Sequence, residues 1–378
     1  MGHLIERAQK PLIQRDLERK IVLLSGPRQA GKTTLAKGIF PSSFDYLNYD
    51  ARSDRIRLRE SSWDRALELV VFDEIHKMKD WKRFLKGIYD KEGVRPRILV
   101  TGSARMDIAR RMGDSLAGRF FQHRLYPLDV KELQGQGKPE EILEALLRLG
   151  GFPEPFLSGN ESDAARWRNT HLEIILRQDL LTLEGLRDMA SVETLVDLLR
   201  RRVGSPVSYN SLARDLERDA KTVRRWLTAL ENLYVVFRVS PHHRNIARSL
   251  LKEPKYYFYD VGQVEGDEGA RFENLVALSL LKEIHYRQDV EGRDLSLNYL
   301  RTKDGREVDF AVVEKGQPTW LIEAKLSASE LSPHLEHFGK FSQKAKKLQL
   351  VRHLKTEKTF PSGAEMRRAA PWLSKMPL

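Results

Sequence analysis

The chain has 378 residues, with 65 Lys and Arg against 53 Asp and Glu, a net charge of +12 and a sequence pI near 9.6. It contains no cysteine, which excludes disulfides, cysteine zinc fingers, Fe–S clusters and a thiolate nucleophile. No apolar run approaches the ~18 residues that span a bilayer, and the N-terminus has no signal-peptide core.

A cytoplasmic protein of roughly two to four domains, without membrane attachment, is therefore expected. The excess charge points to a polyanionic partner and says nothing of the fold. It is also uneven. Residues 201–250 hold ten basic and four acidic residues, a local +6, between stretches at 151–200 and 251–300 that are each −4. A concentrated patch of this kind is a candidate nucleic-acid footprint.

In chain order, short apolar runs at 21–24, 44–48, 68–72, 97–101 and 119–125 read as strands separated by charged, helix-like stretches. Near-continuous apolar strands alternating with helices predict an α/β core with a parallel sheet. Gly and Pro then cluster at 134–139 and 150–155 within a mostly helical stretch that ends near Arg202. Further breaks fall at Gly204-Ser-Pro206, at Pro241 and across 262–269, followed by a helix at 270–284 and then strands. There is no fixed-period repeat.

Gly26-Pro-Arg-Gln-Ala-Gly31-Lys32-Thr33 follows the first strand and opens a helix expected at 33–38. This is the strand–turn–helix context of a phosphate-binding loop. Its glycines let backbone N–H groups turn inward around phosphate oxygens, and the helix N-terminus adds favourable partial charge. Lys32 would reach the β- and γ-phosphates, and Thr33 would ligate Mg²⁺. Arg28 and Thr34 are further candidates for phosphate contact, although Arg28 could equally brace the loop. The apolar run ending in Asp73-Glu74 supplies the partner. Asp73 would hold Mg²⁺ directly or through water, and Glu74 would act as general base toward the attacking water. The strand at 44–48 lies between the two motifs in sequence, which suggests the class of P-loop ATPase with an inserted strand. Ser103, after the strand at 97–101, is either a γ-phosphate sensor or a strand-end turn. Arg119 is a candidate arginine finger toward a neighbouring subunit's nucleotide.

The run Gly26 to Leu35 is similar to that of prokaryotic AAA-type ATPases with an uncharacterised C-terminal domain. So are Phe72 to Trp81, Thr101-Gly-Ser103, Leu116-Ala-Gly-Arg-Phe120 and Gly150-Gly-Phe-Pro-Glu154. His76 stands where the family has glutamine. The resemblance covers nearly the whole chain. It implies a P-loop AAA-like ATPase core at 1–133, a helical lid at 134–202 and a winged helix at 203–250. A C-terminal α/β restriction-endonuclease-like, PD-(D/E)XK domain would fill 251–378.

Residues 208–239 read on their own as helix, turn, helix and hairpin. Asn210 or Ser211 would cap a short helix at 212–216. In the second helix, at 220–232, Val223, Trp226, Leu227 and Leu230 share one buried face. Lys221, Arg224, Arg225 and Thr228 then project from the other. That is a helix-turn-helix with a basic second helix, suited to phosphate contact in a major groove, and residues 233–239 would form the wing. The alternative is a small helical element with a solvated basic face.

Two strands follow at 306–313 and 320–325, joined by a turn at Gly316-Gln-Pro318. Glu323 and Lys325 are two apart and share a strand face, and Asp309 on the adjoining strand could sit beside them. Two converging carboxylates with a lysine are the apparatus for Mg²⁺-assisted phosphodiester hydrolysis. Glu273 on the preceding helix is a further acid. The alternative for Glu323 and Lys325 is a surface ion pair. The ten histidines form no convincing metal set.

The leading expectation is an ATP-hydrolysing, AAA-like enzyme with ATP and Mg²⁺. It would act on structured or forked DNA as a helicase, branch-migration or remodelling motor, as a homo-oligomer with a hexameric ring among its forms. The alternative is a nucleotide-switched DNA- or protein-binding regulator whose C-terminal domain is a non-cleaving platform. A third reading is a nucleotide-regulated nuclease.

Overall fold

The computed structural model describes residues 5–102, 116–184, 188–242 and 253–378. The chain divides into two compact units, Met1–Pro127 with Asp289–Glu291, and Leu128–Gln288 with Gly292–Leu378. No helix among the described residues is long and apolar enough to cross a membrane.

The first unit is a five-stranded parallel sheet of β1 (Ile21–Ser25), β2 (Phe44–Asn48), β3 (Leu69–Asp73), β4 (Arg97–Thr101) and β5 (Phe120–Arg124), in the order β2-β3-β4-β1-β5. Strict two-residue alternation feeds two cores. Leu23, Phe72 and Val100 enter one of them, packed by α3 (Arg52–Glu60) and α4 (Trp81–Glu92). Val22, Val71 and Leu99 enter the other, packed by α1 (Lys10–Leu17) and α2 (Lys32–Lys37). With helices on both faces, every residue of β1, β3 and β4 is buried, which is why these strands read as unbroken apolar runs.

As expected, β2 lies between the two motifs in sequence; in the sheet it stands at the edge, and the strand inserted between β1 and β3 is β4, which comes later in the chain. One expectation is corrected here. The helix after the loop is Lys32–Lys37, one residue earlier than 33–38, because Gly31 already adopts the left-handed N-cap at φ 94°.

The second unit begins with α5 (Pro139–Leu149), α6 (Pro153–Ser158) and α7 (Glu161–Ile174), and the last continues as a π-helix, Ile175–Glu184. Next come α8 (Met189–Arg200), α9 (Tyr209–Asp215) and α10 (Ala220–Asn232). Ser208 caps α9 by accepting from Ser211 N–H, so neither Asn210 nor Ser211 is the cap, and the helix starts before 212. Asp219 caps α10.

An eight-stranded mixed sheet follows. Its strands are β6 (Val236–Pro241), β7 (Lys255–Phe258), β8 (Leu295–Arg301), β9 (Glu307–Glu314), β10 (Gln317–Lys325), β11 (Lys346–Val351), β12 (Lys358–Thr359) and β13 (Ala364–Arg368), in the order β12-β13-β11-β10-β9-β8-β6-β7. The hairpin expected at 233–239 is a single strand, β6. It pairs antiparallel with β7 and, through Ser240 and Pro241, parallel with β8. The β9–β10 turn is Lys315–Gly316 at φ 48° and 76°, the paired positive φ of a tight hairpin. Gln317 and Pro318 therefore belong to β10 rather than to the turn. Among the described residues three α-helices follow β7: α11 (Glu268–Glu291), whose last three residues belong to the first unit, α12 (Pro333–Phe341) and α13 (Ala369–Lys375). The first is longer than 270–284 because Asp267 caps it by accepting from Ala270 N–H. Leu335 and Phe338 of α12 cover Val308 and Ala311 of β9 and Leu321 of β10.

β7 closes one edge of this sheet, and an edge strand presents backbone groups that need partners. Asn274 of α11, fully buried, supplies them: its Oδ1 accepts Phe258 N–H at 2.7 Å and its Nδ2 donates to the Phe258 carbonyl at 2.9 Å. Asn274→Ala orphans both groups, at about 1–3 kcal/mol each. It should lower the unfolding free energy by about 2–5 kcal/mol, read as an earlier midpoint in urea.

Candidate functional site

In the first unit, Gly26 turns the chain out of β1 at φ 146°, and a Cβ there would lie 2.1 Å from the Leu125 carbonyl oxygen. Only glycine fits. Lys32, buried at the first position of α2, donates to the carbonyls of Gly26 at 2.9 Å and Pro27 at 2.6 Å. The loop is thus folded around its own ammonium. Arg28 is half-buried on the same loop, and Thr34 is exposed on the first turn of α2.

Asp73 is the last residue of β3 and 6% exposed. Three hydroxyls donate to its carboxylate: Thr33 Oγ1 at 3.1 Å, Thr101 Oγ1 at 2.5 Å, and the Tyr46 phenol. Burial, the hydrogen bond to Asp73 and its charge push the Tyr46 pKa above the usual phenol range. Sequence reasoning missed Tyr46, whose strand is joined to β3 only through the sheet. Thr33 and Asp73 bring hard oxygen donors side by side, the donor type that Mg²⁺ takes.

Glu74 leaves the strand at φ 55°. Burial raises its carboxyl pKa, the positive charge of Lys77 offsets this in part, and Asp73 adds to the rise. Its Oε2 is buried without a hydrogen-bond partner, 3.5 Å from Lys77 Nζ and 3.6 Å from His76 Nε2. Lys77 also holds Asp50 at 2.6 Å. Ser103 lies outside the described residues. Arg119, just before β5, grips Asp90 with Nε at 2.7 Å and Nη2 at 3.4 Å.

In the second unit, Glu273, Asp309, Glu323 and Lys325 converge electrostatically. Lys325 Nζ lies 2.9 Å from Glu323 Oε1, and Asp309 Oδ2 accepts Ala324 N–H at 2.9 Å. Burial raises Glu323 to about 6, helped by the Asp309 charge. Burial and Asp309 likewise push Glu273 up to about 7, against the pull of Lys255.

Lys255 is the residue that sequence reasoning missed. It is fully buried at the start of β7, 2.6 Å from Glu307 Oε1, 3.3 Å from Glu273 Oε1 and 3.9 Å from Asp309 Oδ1. Tyr257 donates to Glu273 Oε1 at 2.6 Å. The signal was present: a lysine opening the apolar strand Lys255-Tyr-Tyr-Phe258 must find acids if it is buried, and Glu307 shares a strand face with Asp309. Among the described residues no group of three or more His, Cys, Asp or Glu is arranged to hold a metal ion. Glu323 Oε2 is buried without a hydrogen-bond partner.

On α10, Val223, Trp226, Leu227 and Leu230 are all buried, while Lys221, Arg224, Arg225 and Thr228 are exposed. Arg224 lies over the Tyr209 ring at 5.5 Å. Nearby cations are matched by acids: Arg202 by Asp215 at 2.7 Å, Arg218 by Asp188 at 2.8 Å, and Arg201 by Glu265 at 3.4 Å. Lys221, Arg224 and Arg225 have no ion-pair partner among the described residues, so the local excess of charge concentrates on this face.

Residues 18–134 match a family model described as an AAA domain. Residues 140–265 and 268–372 match two domains of unknown function, DUF8612 and DUF4143. An uncharacterized protein of Mycobacterium tuberculosis is 29% identical over 327 residues, covering 83% of this chain and 73% of its own length. One from Haemophilus influenzae is 21% identical, covering 93% of this chain and 94% of its own length. Among solved structures, AMPPCP-bound DnaA from Aquifex aeolicus is 14% identical at a TM-score of 0.31, covering 58% of this chain and 86% of its own. The Hsp104–ADP complex of S. cerevisiae is 16% identical at 0.31, covering 62% of this chain and 38% of its own. Scores of this size carry nothing about activity.

The environment of Glu273 has a pH signature. Its pKa is near 7 folded and near the ordinary 4.5 unfolded, so the folded state holds the proton more tightly. Stability from this group is complete below the unfolded value and is lost as pH rises through about 7. Relative to Glu273→Gln, the wild type should lose stability across that window, measured as urea midpoints at stepped pH. A constant difference would refute the burial effect.

Proposed function

We propose that this chain is an ATP-hydrolysing, AAA-like enzyme that acts on DNA. The observation that carries the reading is the buried Glu74, whose Oε2 accepts no hydrogen bond, directly following Asp73, whose carboxylate meets the Thr33 hydroxyl of the glycine loop's helix. With nucleotide bound, the loop N–H groups and Lys32 hold the phosphate oxygens, with Arg28 and Thr34 at the rim and Ser103 as a sensor. Lys32 exchanges its two loop carbonyls for phosphate. Thr33 and Asp73 would hold Mg²⁺, which would offset charge on the phosphates. Glu74 takes a proton from the attacking water, whose oxygen bonds to the γ-phosphorus as the bond to the bridging oxygen breaks and ADP leaves. Burial favours this role, because a raised pKa makes the carboxylate a better proton acceptor. Arg119 completes the site of a neighbouring subunit in a homo-oligomer, a hexameric ring among the forms.

The unmatched cations of α10 support contact with DNA phosphates, with structured or forked DNA as the substrate. The helices at 134–202 serve as lid and α9–α10 with β6 as a winged helix. The succession α11, β8, β9, β10, α12, β11, bearing Glu273, Asp309, Glu323 and Lys325, supports a restriction-endonuclease-like C-terminal domain. A second reading, the nucleotide-switched regulator with a non-cleaving platform, is favoured by Lys255, which already neutralises much of that cluster.

Lys32→Ala and Glu74→Gln should each lower ATP turnover by about 10²-fold or more. Unchanged turnover in both would sink the assignment. Stimulation by forked DNA with strand separation marks a motor, and nucleotide-dependent binding without separation marks a switch. The triple change Lys221→Ala, Arg224→Ala, Arg225→Ala should weaken DNA binding regardless of sequence. It should also flatten the log–log salt dependence by up to about 0.9 per lost phosphate contact. An unchanged slope would remove α10 from the interface.

A further inference from the structure

Glu74 is held in place by a tight turn and a neighbouring strand acting together. After β3 the chain makes a single turn of 3₁₀ helix, Ile75–Lys77, in which Lys77 N–H donates to the Glu74 carbonyl at 3.1 Å. Side chains three apart eclipse in that geometry. Lys77 therefore folds back over Glu74, and its Nζ lies 3.5 Å from Oε2. Ile75, packed into the core with Phe72 and Leu85, pins the turn. His76, buried beside it, brings Nε2 to 3.6 Å from the same glutamate oxygen.

Lys77 is anchored in turn. Its Nζ meets Asp50 Oδ2 at 2.6 Å. Asp50 follows β2, and the register that pairs Asn48 with Asp73 carries it to this end of the sheet. Tyr49 N–H donates to the Asp73 carbonyl at 3.0 Å, and Asn48 Oδ1 accepts Asp50 N–H at 2.9 Å. The ammonium is thus strung between two carboxylates, one beyond the end of each of two paired strands. Its two partners differ: the Asp50 side chain is 54% exposed and that of Glu74 only 19%. An exposed ion pair fixes little, but solvent screens the Glu74 end much less.

We infer that Lys77 is a positioning residue for Glu74: anchored on Asp50, its ammonium holds the buried Oε2 and so presents Oε1 to the attacking water. The inference rests on reading Glu74 as the general base. The contribution is one of orientation, which a freely turning carboxylate would lose. Removing the ammonium should slow the chemical step and leave nucleotide affinity alone, because Lys77 is engaged with Glu74 and Asp50 while the glycine loop holds the phosphates.

The test separates kcat from affinity in the full-length chain. Turnover is measured at saturating ATP, and the Kd of a fluorescent ADP analogue is measured alongside it. Lys77→Met should lower kcat by about 10- to 100-fold at unchanged Kd. Lys77→Arg should recover most of that loss, and Asp50→Asn, at an exposed position, should show a smaller loss of the same kind. In a Glu74→Gln chain, Lys77→Met should add nothing to the residual rate, because groups that act as a unit are not additive. An unchanged kcat in Lys77→Met overturns the inference, as does a weakened Kd, a Lys77→Arg chain as slow as Lys77→Met, or a further loss on top of Glu74→Gln. If Lys77→Met does not fold, Asp50→Asn decides: a lowered kcat at unchanged Kd supports the inference and an unchanged kcat overturns it. Full turnover in Glu74→Gln removes the general-base reading itself, and the inference with it.

Discussion

A lysine ammonium with no solvent exposure organises the second unit. Lys255 cannot be buried alone, so the strand that carries it must lie where α11 and β9 both present acids. That requirement ties the outer pair β6–β7 to the strands that carry Asp309 and Glu323. It also explains the neighbouring tyrosine, because Tyr257 donates to the one carboxylate that α11 contributes. Breaking such an arrangement by removing one charge costs more than the arrangement contributes while intact, since the remaining charges are left buried without compensation. Its weight is therefore in specifying one packing of helix on sheet.

The first unit solves a related problem with neutral groups. Asp73 is nearly as buried, yet three hydroxyls from β2, α2 and β4 satisfy it, and among the described residues it has no ion pair. Its carboxylate is held by hydrogen bonds, which suits the proposed role of receiving a cation together with a nucleotide. Lys32 meanwhile holds the carbonyls of Gly26 and Pro27. One unit thus keeps its acid waiting for charge, and the other has supplied that charge from its own chain.

What the sequence made legible was contiguous. The glycine loop, the strand ending in Asp73 and the span of α10 follow from local rules: a turn that only glycine makes, an apolar run and a three-four period. What it hid was lateral. That β4 inserts between β1 and β3 is a matter of which strands pair across the sheet, and no local pattern fixes that order. Tyr46 and Lys255 were missed for the same reason, since each meets its partner across a sheet or under a helix rather than along the chain. Ser208 escaped for a smaller reason: several hydroxyl and amide residues stood in a row, and only the backbone decided which one capped α9.

The position of β6 limits how such a protein can be rebuilt. This strand continues directly from the basic helix α10, with Val235 N–H bonded to the Leu230 carbonyl, and then runs alongside β8, where Asn298 donates to the Ser240 carbonyl at 3.1 Å. A cut between residues 232 and 295 would leave β8 with a raw edge able to recruit a strand from another molecule. Recombination, natural or engineered, that exchanged α9 and α10 would have to carry β6 and β7 along, or leave that edge open to pairing with another chain.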